Sequence, residues 1–283
     1  MIAGYPERPT VFPGERLTLR VSTSAPRFSV EVSRQGTSFE AMPDGRFGWF
    51  DGVFSRPREA DTDFDWEPYE LRIPAHWPSG AYVAIFTEGS RNDRPLSAPD
   101  RASPGGDAKA LFVVRGDPAR PPAPILCKLP LFAYHARDGE LVSLQRPGGG
   151  AGAPREHSFA DDAPLVARLE SGGYAVEYCT DLDVHERPAT ALARHRLIVS
   201  AGRDECWTDD MRRRLEDFVG GGGRFASFAP NPLRWRLRYA ASTRTLERLG
   251  RFSETIDPFT GEPYRESAFA AEFRLELLAE LLQ

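Results

Sequence analysis

Residues 196–230, RLIVSAGRDECWTDDMRRRLEDFVGGGGRFASFAP, decide the fold of this chain. The apolar run at 197–199 ends at a Ser-Ala-Gly turn, which is typical of a buried strand that stops at a loop. Thr208 then stands where a helix N-cap is expected, apolar residues follow at helical spacing, and the glycines at 220–223 end the helix. A second strand is predicted at 224–229. The stretch therefore predicts a strand, a loop, a helix and a strand, the repeating unit of a parallel α/β sheet.

The loop between the first strand and the helix, GRDECW, holds Arg203, Asp204, Glu205 and Cys206 at four consecutive positions. In open α/β sheets, ligands bind beyond the carboxyl ends of the strands, which is where this loop lies. The four glycines do not indicate a phosphate-binding loop, because they end a helix and no Lys-Ser or Lys-Thr pair follows them. The loop is therefore the first candidate for a functional site.

Upstream, the sequence changes character at the Pro-rich stretch GDPARPPAP, residues 116–124. After it, predicted strands and helices alternate in the order β-α-β-α-β-α-β, which predicts a parallel sheet with right-handed crossovers. Before it, short alternating strands separated by Pro and Gly turns are typical of an immunoglobulin-like β-sandwich. We therefore predict a two-domain α+β chain, with the sandwich over 8–118 and the α/β domain over 124–283. An amphipathic helix is predicted at 264–282.

One predicted strand of the sandwich, AYVAIF, has two apolar faces. Tyr82, Ala84 and Phe86 share one face, and Val83 and Ile85 share the other. Cover on both sides is expected for such a strand. It is either a central strand of the sandwich core or a strand that the sandwich presents to the second domain.

Composition excludes several classes of function. The formal net charge of −5 and a pI near 5.7 do not favour nucleic acid or an anionic membrane as a partner. No apolar run approaches the length of a membrane span, and the first residues lack the pattern of a signal peptide. Three scattered cysteines suit a reducing compartment better than a disulfide framework. We therefore expect a cytoplasmic protein.

Four stretches resemble the large (beta) subunit of N,N-dimethylformamidase: SGAYVAIF, KLPLFAYHARDG, EYCTDLDVH and SAGRDECWTDDMRRRLEDFVGGGGRFASF. The resemblance runs through most of residues 8–236. It implies a β-sandwich followed by an α/β domain similar to the class I glutamine amidotransferase fold. It also implies hydrolysis of a small amide at a formamide-type C–N bond by metal-activated water. A small accessory subunit or a homo-oligomer is the partner that the family suggests.

The resemblance further implies a mononuclear Fe(III) bound by two tyrosines and a glutamate, which correspond to Tyr82, Tyr134 and Glu205. The residues agree with this in part, since Tyr134 and Glu205 both follow predicted strands at their carboxyl ends. Phenolate and carboxylate oxygens are hard ligands that suit ferric iron, and a bound cation can hold a tyrosine deprotonated. Tyr82 lies on the strand that has two apolar faces.

This chain departs from the family pattern in the loop GRDECW. Arg203 stands where the family has histidine, and Cys206 stands where it has tyrosine. A guanidinium cannot act as a general base, but it can stabilise an oxyanion, so Arg203 is the candidate catalytic residue. Two functions therefore remain open: an iron-dependent amidohydrolase, and a non-catalytic binding or assembly module that keeps the fold.

Other side chains carry weaker signals. Cys206 is a candidate nucleophile, but its flanking carboxylates would raise the pKa of the thiol and lower its reactivity. The histidines form no pair at i,i+4 spacing that would suit a metal, and His185 is expected to orient its loop. Asp181 and Asp183 are expected to cap a turn and to accept loop hydrogen bonds.

Overall fold

A computed structural model of the chain describes residues 1–55, 65–90, 108–136, 141–145, 159–200, 202–229 and 232–254. These residues form a mixed α+β structure that is mostly sheet, with four sheets, one of them fully parallel. The helix predicted at 264–282 lies outside the described residues. Within the described part, no helix is long and apolar enough to cross a membrane.

The N-terminal part of the fold is built of strands. They are β1 (Ile2–Pro6), β2 (Thr10–Val11), β3 (Arg16–Thr23), β4 (Arg27–Gln35), β5 (Phe39–Asp51), β6 (Glu67–Arg72), β7 (Gly80–Gly89) and β8 (Ala108–Val114). One sheet has the order β1-β3-β6 and the other the order β2-β8-β7-β4-β5. Leu19 of β3 and Phe28 of β4 lie in one hydrophobic core, so the two sheets pack face to face as a sandwich. Strand β1 extends this sandwich to the N-terminal side of the predicted boundary at residue 8.

The second part alternates strands and helices as predicted. Its elements are β9 (Ile125–Leu129), α1 (Leu131–His135), β10 (Val142–Ser143), α2 (Phe159–Ser171), β11 (Val176–Thr180), α3 (Asp181–Glu186), α4 (Ala189–Leu192), β12 (Leu197–Ser200), β13 (Cys206–Thr208), α5 (Asp209–Gly220), β14 (Arg224–Ser227), β15 (Trp235–Ala240) and β16 (Thr245–Arg251). Strands β11, β9, β12 and β14 form the parallel sheet in that order. Because the strands are parallel, their carboxyl ends meet at one edge.

The opening stretch folds as its pattern predicts. The side chain of Thr208 accepts a hydrogen bond from the backbone N of Met211 at 3.3 Å, which caps α5. Met211, Leu215 and Phe218 form the buried face of the helix, and Gly221 is its C-cap. Strand β14 then returns beside β12. The local chemistry of this stretch therefore determines its structure.

A second sheet in this part, with the order β10-β16-β15-β13, was not predicted. Strand β13 has only three residues, and it lies inside the stretch that sequence patterns assign to the loop. It pairs in parallel with β15, whose sequence alternates apolar residues with arginines and gives no clear period. Strands β15 and β16 form a local hairpin, but β10 and β13 join the sheet through pairings between distant segments, which local patterns do not reveal.

Strand β7 joins the two parts of the fold. Tyr82, Ala84 and Phe86 face the sandwich core. Ala81 faces the other way and packs with residues of the parallel sheet, and Val83 lines a cavity between the two parts. The strand is therefore both the central strand of its sheet, as the first interpretation predicted, and presented to the second domain on one face, as the second predicted. The finer likeness of the two parts to the immunoglobulin and glutamine amidotransferase folds stays a prediction.

Candidate functional site

A buried lysine lies at the carboxyl edge of the parallel sheet. Lys128 is the fourth residue of β9, between Cys179 of β11 and Ser200 of β12 in the sheet register. Its side chain is completely buried, and its Nζ donates to Asp204 Oδ1 at 2.7 Å and to Asp181 Oδ1. Both carboxylates follow strands of the same sheet. The parallel topology therefore brings Lys128 next to two carboxylates that lie 53 and 76 positions further along the sequence.

The two carboxylates around Lys128 are held by further hydrogen bonds. Asp181 Oδ2 accepts from the backbone N of Phe132 at 2.7 Å, and Asp204 Oδ2 accepts from the hydroxyl of Ser200. The Trp207 ring covers the ammonium, with Nζ 4.5 Å from the ring centroid. Because every charge has a partner, this network can persist without water, and it fixes the start of α1 relative to the sheet.

Burial and ion pairing shift the pKa values of these groups in opposite directions. Burial lowers the pKa of Lys128, but attraction to Asp181 and Asp204 outweighs it, so the net pKa is raised and the ammonium stays charged. Burial raises the pKa of Asp181, and Lys128 opposes that rise only in part. One ammonium therefore faces two carboxyl groups in a site closed to solvent.

Tyr134 projects from α1, whose start this network fixes. Its hydroxyl donates a hydrogen bond to Asp162 Oδ2 of α2. Burial raises the pKa of the Tyr134 hydroxyl, and it raises the pKa of Asp162 to about 6. Asp162 Oδ1 is buried and has no hydrogen-bond partner among the described residues. The pair therefore keeps one buried acceptor unused beside the tyrosine.

Gly202 packs directly against this pair. Its φ is +51°, and a Cβ atom added there would overlap Asp162 Oδ1. The loop that follows β12 can approach α2 this closely only without a side chain. The turn of the opening stretch is therefore positioned against Asp162.

Tyr134 also lines a cavity of about 850 Å³ between the sandwich and the α/β part. Its apolar wall is formed by Phe12, Leu111, Leu131, Phe159 and Tyr239. Arg115, Asp183 and Arg187 add a charged wall. A concave, mostly apolar site with a few placed polar groups is the usual form of a small-molecule site. The cavity with Tyr134 is therefore the candidate functional site.

The structure places the predicted metal ligands in different surroundings. The Tyr82 side chain is completely buried in the sandwich, stacked on Trp77 at a centroid distance of 4.9 Å, and its hydroxyl donates to Pro78 O at 2.8 Å. Tyr134 points its hydroxyl at Asp162. Glu205 is half-buried in the loop after β12 and does not line the cavity.

No contact joins the three predicted ligands Tyr82, Tyr134 and Glu205 within the part of the chain that the structure describes. Burial raises the pKa of both tyrosines in the metal-free chain, and a bound cation would act in the opposite direction. Among the described residues, no group of three His, Cys, Asp or Glu side chains could hold a metal ion, which concerns sites other than one with two tyrosine ligands. The residues as placed therefore do not fit a shared iron.

Arg203, the predicted catalytic residue, is exposed on the loop after β12 and does not line the cavity. Cys206 is buried, and burial together with Asp181 and Asp204 raises the pKa of its thiol, which disfavours a nucleophilic thiolate. All three cysteines of the chain are free and buried.

The expectations for the TDLDVH stretch hold in part. Asp183 caps α3 as predicted, accepting from the backbone N of Thr180 at 2.9 Å. It also accepts from Thr10 of the sandwich at 3.2 Å. Asp181 instead pairs with Lys128, a role that the sequence reasoning missed. The signal that could have revealed it is the rarity of lysine: the chain has two, and one of them lies in an apolar strand.

His185 hydrogen-bonds through Nδ1 to the hydroxyl of Thr208, the N-cap of α5, at 2.8 Å. Burial lowers its pKa, so charging His185 costs more in the folded chain than in the unfolded one. We expect stability to fall as the pH drops from 7.5 to 5.5, and this fall to be smaller in His185→Asn. Thermal melts at both pH values measure it, with the exposed His76→Asn as the control. An equal pH dependence in wild type and His185→Asn would contradict the assignment.

Comparison with known proteins supports a family assignment for the second part of the chain. Residues 136–275 match the profile of the family described as N,N-dimethylformamidase beta subunit-like, C-terminal. No curated protein matches the chain.

Several solved structures are similar to the chain at low identity. Cwp6 from Clostridium difficile is 11% identical, over 81% of this chain and 37% of that one, with a TM-score of 0.20. A carbohydrate acetylesterase from Xanthomonas citri is 12% identical, over 80% and 70%, with a TM-score of 0.22. A family 123 glycoside hydrolase from Clostridium perfringens is 8% identical, over 87% and 47%, with a TM-score of 0.15. The chain spans less than half of the first and third of these structures. TM-scores this low do not show a common fold.

Proposed function

Residues 136–275 belong to the N,N-dimethylformamidase beta subunit-like family, and on this premise we propose that the chain is a hydrolase of small amides. Water would cleave a formamide-type C–N bond, giving a carboxylic acid and an amine. The observation that carries the proposal is the cavity of about 850 Å³ beside Tyr134. It lies at the carboxyl edge of the parallel sheet, where α/β folds place their ligands.

Tyr134 is the residue that this proposal assigns to the substrate. Its side chain lines the cavity, and its single hydroxyl proton, donated to Asp162 in the free protein, would turn to the amide oxygen or pass to the leaving nitrogen when the substrate binds. Asp162 positions that hydroxyl from behind. Lys128 and Asp181 act on Tyr134 indirectly. Asp181 accepts a hydrogen bond from the backbone N of Phe132, two residues before Tyr134. The buried network would thus fix the orientation of the reacting group.

An iron cofactor stays a prediction from the resemblance. Fe(III) would polarise the amide carbonyl and activate water, but Tyr82, Tyr134 and Glu205 do not fit a shared metal as they are placed. We therefore derive no step through iron. The family is described as beta subunit-like, which supports a further, smaller subunit as the partner of this chain in an assembly.

A non-catalytic module is the second candidate function. The observation that favours it is the placement of Arg203, which replaces the family histidine and is exposed outside the cavity. Such a chain would bind a ligand in the cavity without turning it over.

Substituting the two tyrosines separates these possibilities. Tyr134→Phe is expected to lower the rate of formamide hydrolysis by about 10²- to 10⁴-fold, the usual contribution of a general acid. Tyr82→Phe is expected to keep most of the activity, because its hydroxyl bonds to a backbone carbonyl in the sandwich. Release of amine from N,N-dimethylformamide measures the rate, and iron content and visible absorbance are recorded on the same samples.

Tyr69→Phe is the matched control, since the Tyr69 hydroxyl also donates to a backbone carbonyl of the sandwich, Asp51 O at 2.7 Å. If Tyr82→Phe and Tyr134→Phe lose iron, colour and activity together, the three ligands of the family do assemble in this chain, and the placement of Tyr82 described above is not the active one. A wild-type protein that binds amides but never hydrolyses them favours the non-catalytic module.

A further inference from the structure

The lining of the cavity beside Tyr134 has one more basic than acidic side chain. Arg115 Nη1 lies 2.7 Å from Asp183 Oδ1, and Arg187 Nε lies 3.7 Å from the same oxygen. Two arginines therefore share one carboxylate, which also accepts a hydrogen bond from Thr10 at 3.2 Å. Asp183 is therefore the lining carboxylate that both arginines share, and Glu177, outside the lining, also attracts Arg187.

Arg115 lines the cavity with the plane of its guanidinium fixed. Its CZ atom lies 3.8 Å from the centroid of the Phe12 ring, and this stacking fixes the plane of the group. Its Nε is buried and finds no acceptor among the described residues. A buried donor without an acceptor is uncommon in proteins and points to a missing partner. Because this Nε has no exposed surface, a bound anion would become its acceptor only after a shift of the Arg115 side chain.

The wall around Tyr239 has the same imbalance. Burial raises the pKa of the Tyr239 hydroxyl, Glu186 adds to the rise, and Arg244 and Arg8 oppose it; all four residues line the cavity. Two arginines and one carboxylate of the lining therefore act on this hydroxyl. In all, the described lining has five basic and four acidic side chains, and one of the acids, Glu7, is already paired at 2.8 Å with Arg20, which does not line the cavity.

The size and the apolar wall of the cavity limit what this anion can be. About 850 Å³ lies in the range of sites for ligands of drug size, and a bare formamide would leave most of it empty. Phe12, Leu111 and Phe159 offer aromatic and aliphatic contact next to the arginines. The site thus suits an apolar body that carries a carboxylate, because guanidinium groups bind carboxylates in paired, directed hydrogen bonds.

Resting on the proposed function, we propose that the cavity selects amides that carry a carboxylate on an apolar body, of which N-formyl amino acids with apolar side chains are the simplest. The carboxylate lies against Arg115 and Arg187, and the formyl group lies at Tyr134. In the reaction the oxygen of water bonds to the formyl carbon and the C–N bond breaks. The nitrogen takes up a proton, so the products are formate and the free amino acid.

The test compares three amides with the full chain. N-formyl-L-phenylalanine has the carboxylate, N-formylphenethylamine has the same body without it, and N,N-dimethylformamide has neither. Binding by calorimetry and hydrolysis by formate release are measured separately. We expect the acidic amide to bind at least about 10-fold more tightly than its neutral analogue, the usual effect of a hydrogen bond to a charged group.

Arg187→Gln is the decisive variant, because it leaves the contact between Arg115 and Asp183 in place. It is expected to raise the Kd and KM for N-formyl-L-phenylalanine by about 10- to 100-fold and to change the Kd of the neutral analogue less. Arg115→Gln, checked for folding, should act in the same direction. Arg238→Gln is the control, since this exposed arginine pairs with Glu247 and does not line the cavity.

The outcomes distinguish this inference from the proposed function. Tight binding of the acidic amide that depends on Arg187, without hydrolysis of any amide, supports the carboxylate site and overturns the hydrolase. Hydrolysis of all three amides with equal kcat/KM keeps the hydrolase and overturns the carboxylate site. If the acidic amide neither binds nor reacts, the carboxylate site is overturned whatever the other amides do.

Discussion

Lys128→Met is expected to destabilise the protein by about 3–5 kcal/mol at pH 8, the usual cost of removing one partner of a buried ion pair. The methionine fills a similar volume, so the loss comes from Asp181 and Asp204, which would remain buried without their counter-ion. Burial already raises the pKa of Asp181, and removal of the ammonium raises it further. The destabilisation should therefore shrink as the pH falls and the carboxyl groups become protonated.

Chemical unfolding at pH 8 and pH 5 measures this effect. Lys109→Met is the matched control, because Lys109 is the other lysine of the chain and is exposed, so its removal should change stability by less than about 0.5 kcal/mol. The triple variant Lys128→Met, Asp181→Asn, Asp204→Asn should recover part of the loss, since it removes all three charges. A Lys128→Met protein as stable as wild type at pH 8 would show that the three groups do not form a buried ionic network.

Gly202→Ala is expected to destabilise the protein by about 2–4 kcal/mol. Part of this, about 1–2 kcal/mol, is the cost of a left-handed backbone for a residue with a Cβ atom. The rest, about 1–3 kcal/mol, comes from the overlap of the new methyl group with Asp162 Oδ1, which must move away from Tyr134. The same substitution should therefore lower any activity that depends on Tyr134.

Gly222→Ala separates the two contributions. Gly222 has a φ of +95°, and an added Cβ atom would meet nothing within 4 Å, so this variant measures the backbone cost alone. Thermal or chemical unfolding of both variants gives the difference directly. Equal losses in the two variants would mean that Gly202 does not approach Asp162 as closely as described.

The parts of the fold that could be predicted are those whose signals are local. Thr208, the helix that follows it and the glycines that end it determine one another within a few residues, and the structure confirms that unit. The parallel sheet followed from the alternation of such units. The sheet of β10, β13, β15 and β16 could not be predicted, because a strand as short as β13 is defined only by its distant partner.

The candidate site shows the same limit at the level of single side chains. Tyr134 is selected through the resemblance to the family, and its position after a strand of the parallel sheet agrees with that choice. Lys128 could have been noticed as a lysine in an apolar strand, but its partners could not be predicted, because its two carboxylates are supplied by distant loops. For Tyr82, the sequence shows a strand with two apolar faces, and such a pattern cannot tell which face meets which core. The structure assigns Tyr82 to the sandwich and Val83 to the cavity.

Strand β7 thereby belongs to two hydrophobic cores at once. Ala81 packs against the parallel sheet while Tyr82, the next residue, packs inside the sandwich, and both are fully buried. Separating the sandwich from the α/β part would expose the face of β7 that carries Ala81, while the face that carries Tyr82 would stay in the sandwich core. The two domains therefore share β7 at their boundary and are not joined by a hinge. We expect the described residues of both domains to unfold in one cooperative transition. A ligand that binds in the cavity would therefore raise the free energy of unfolding of the sandwich as much as that of the part that holds Tyr134.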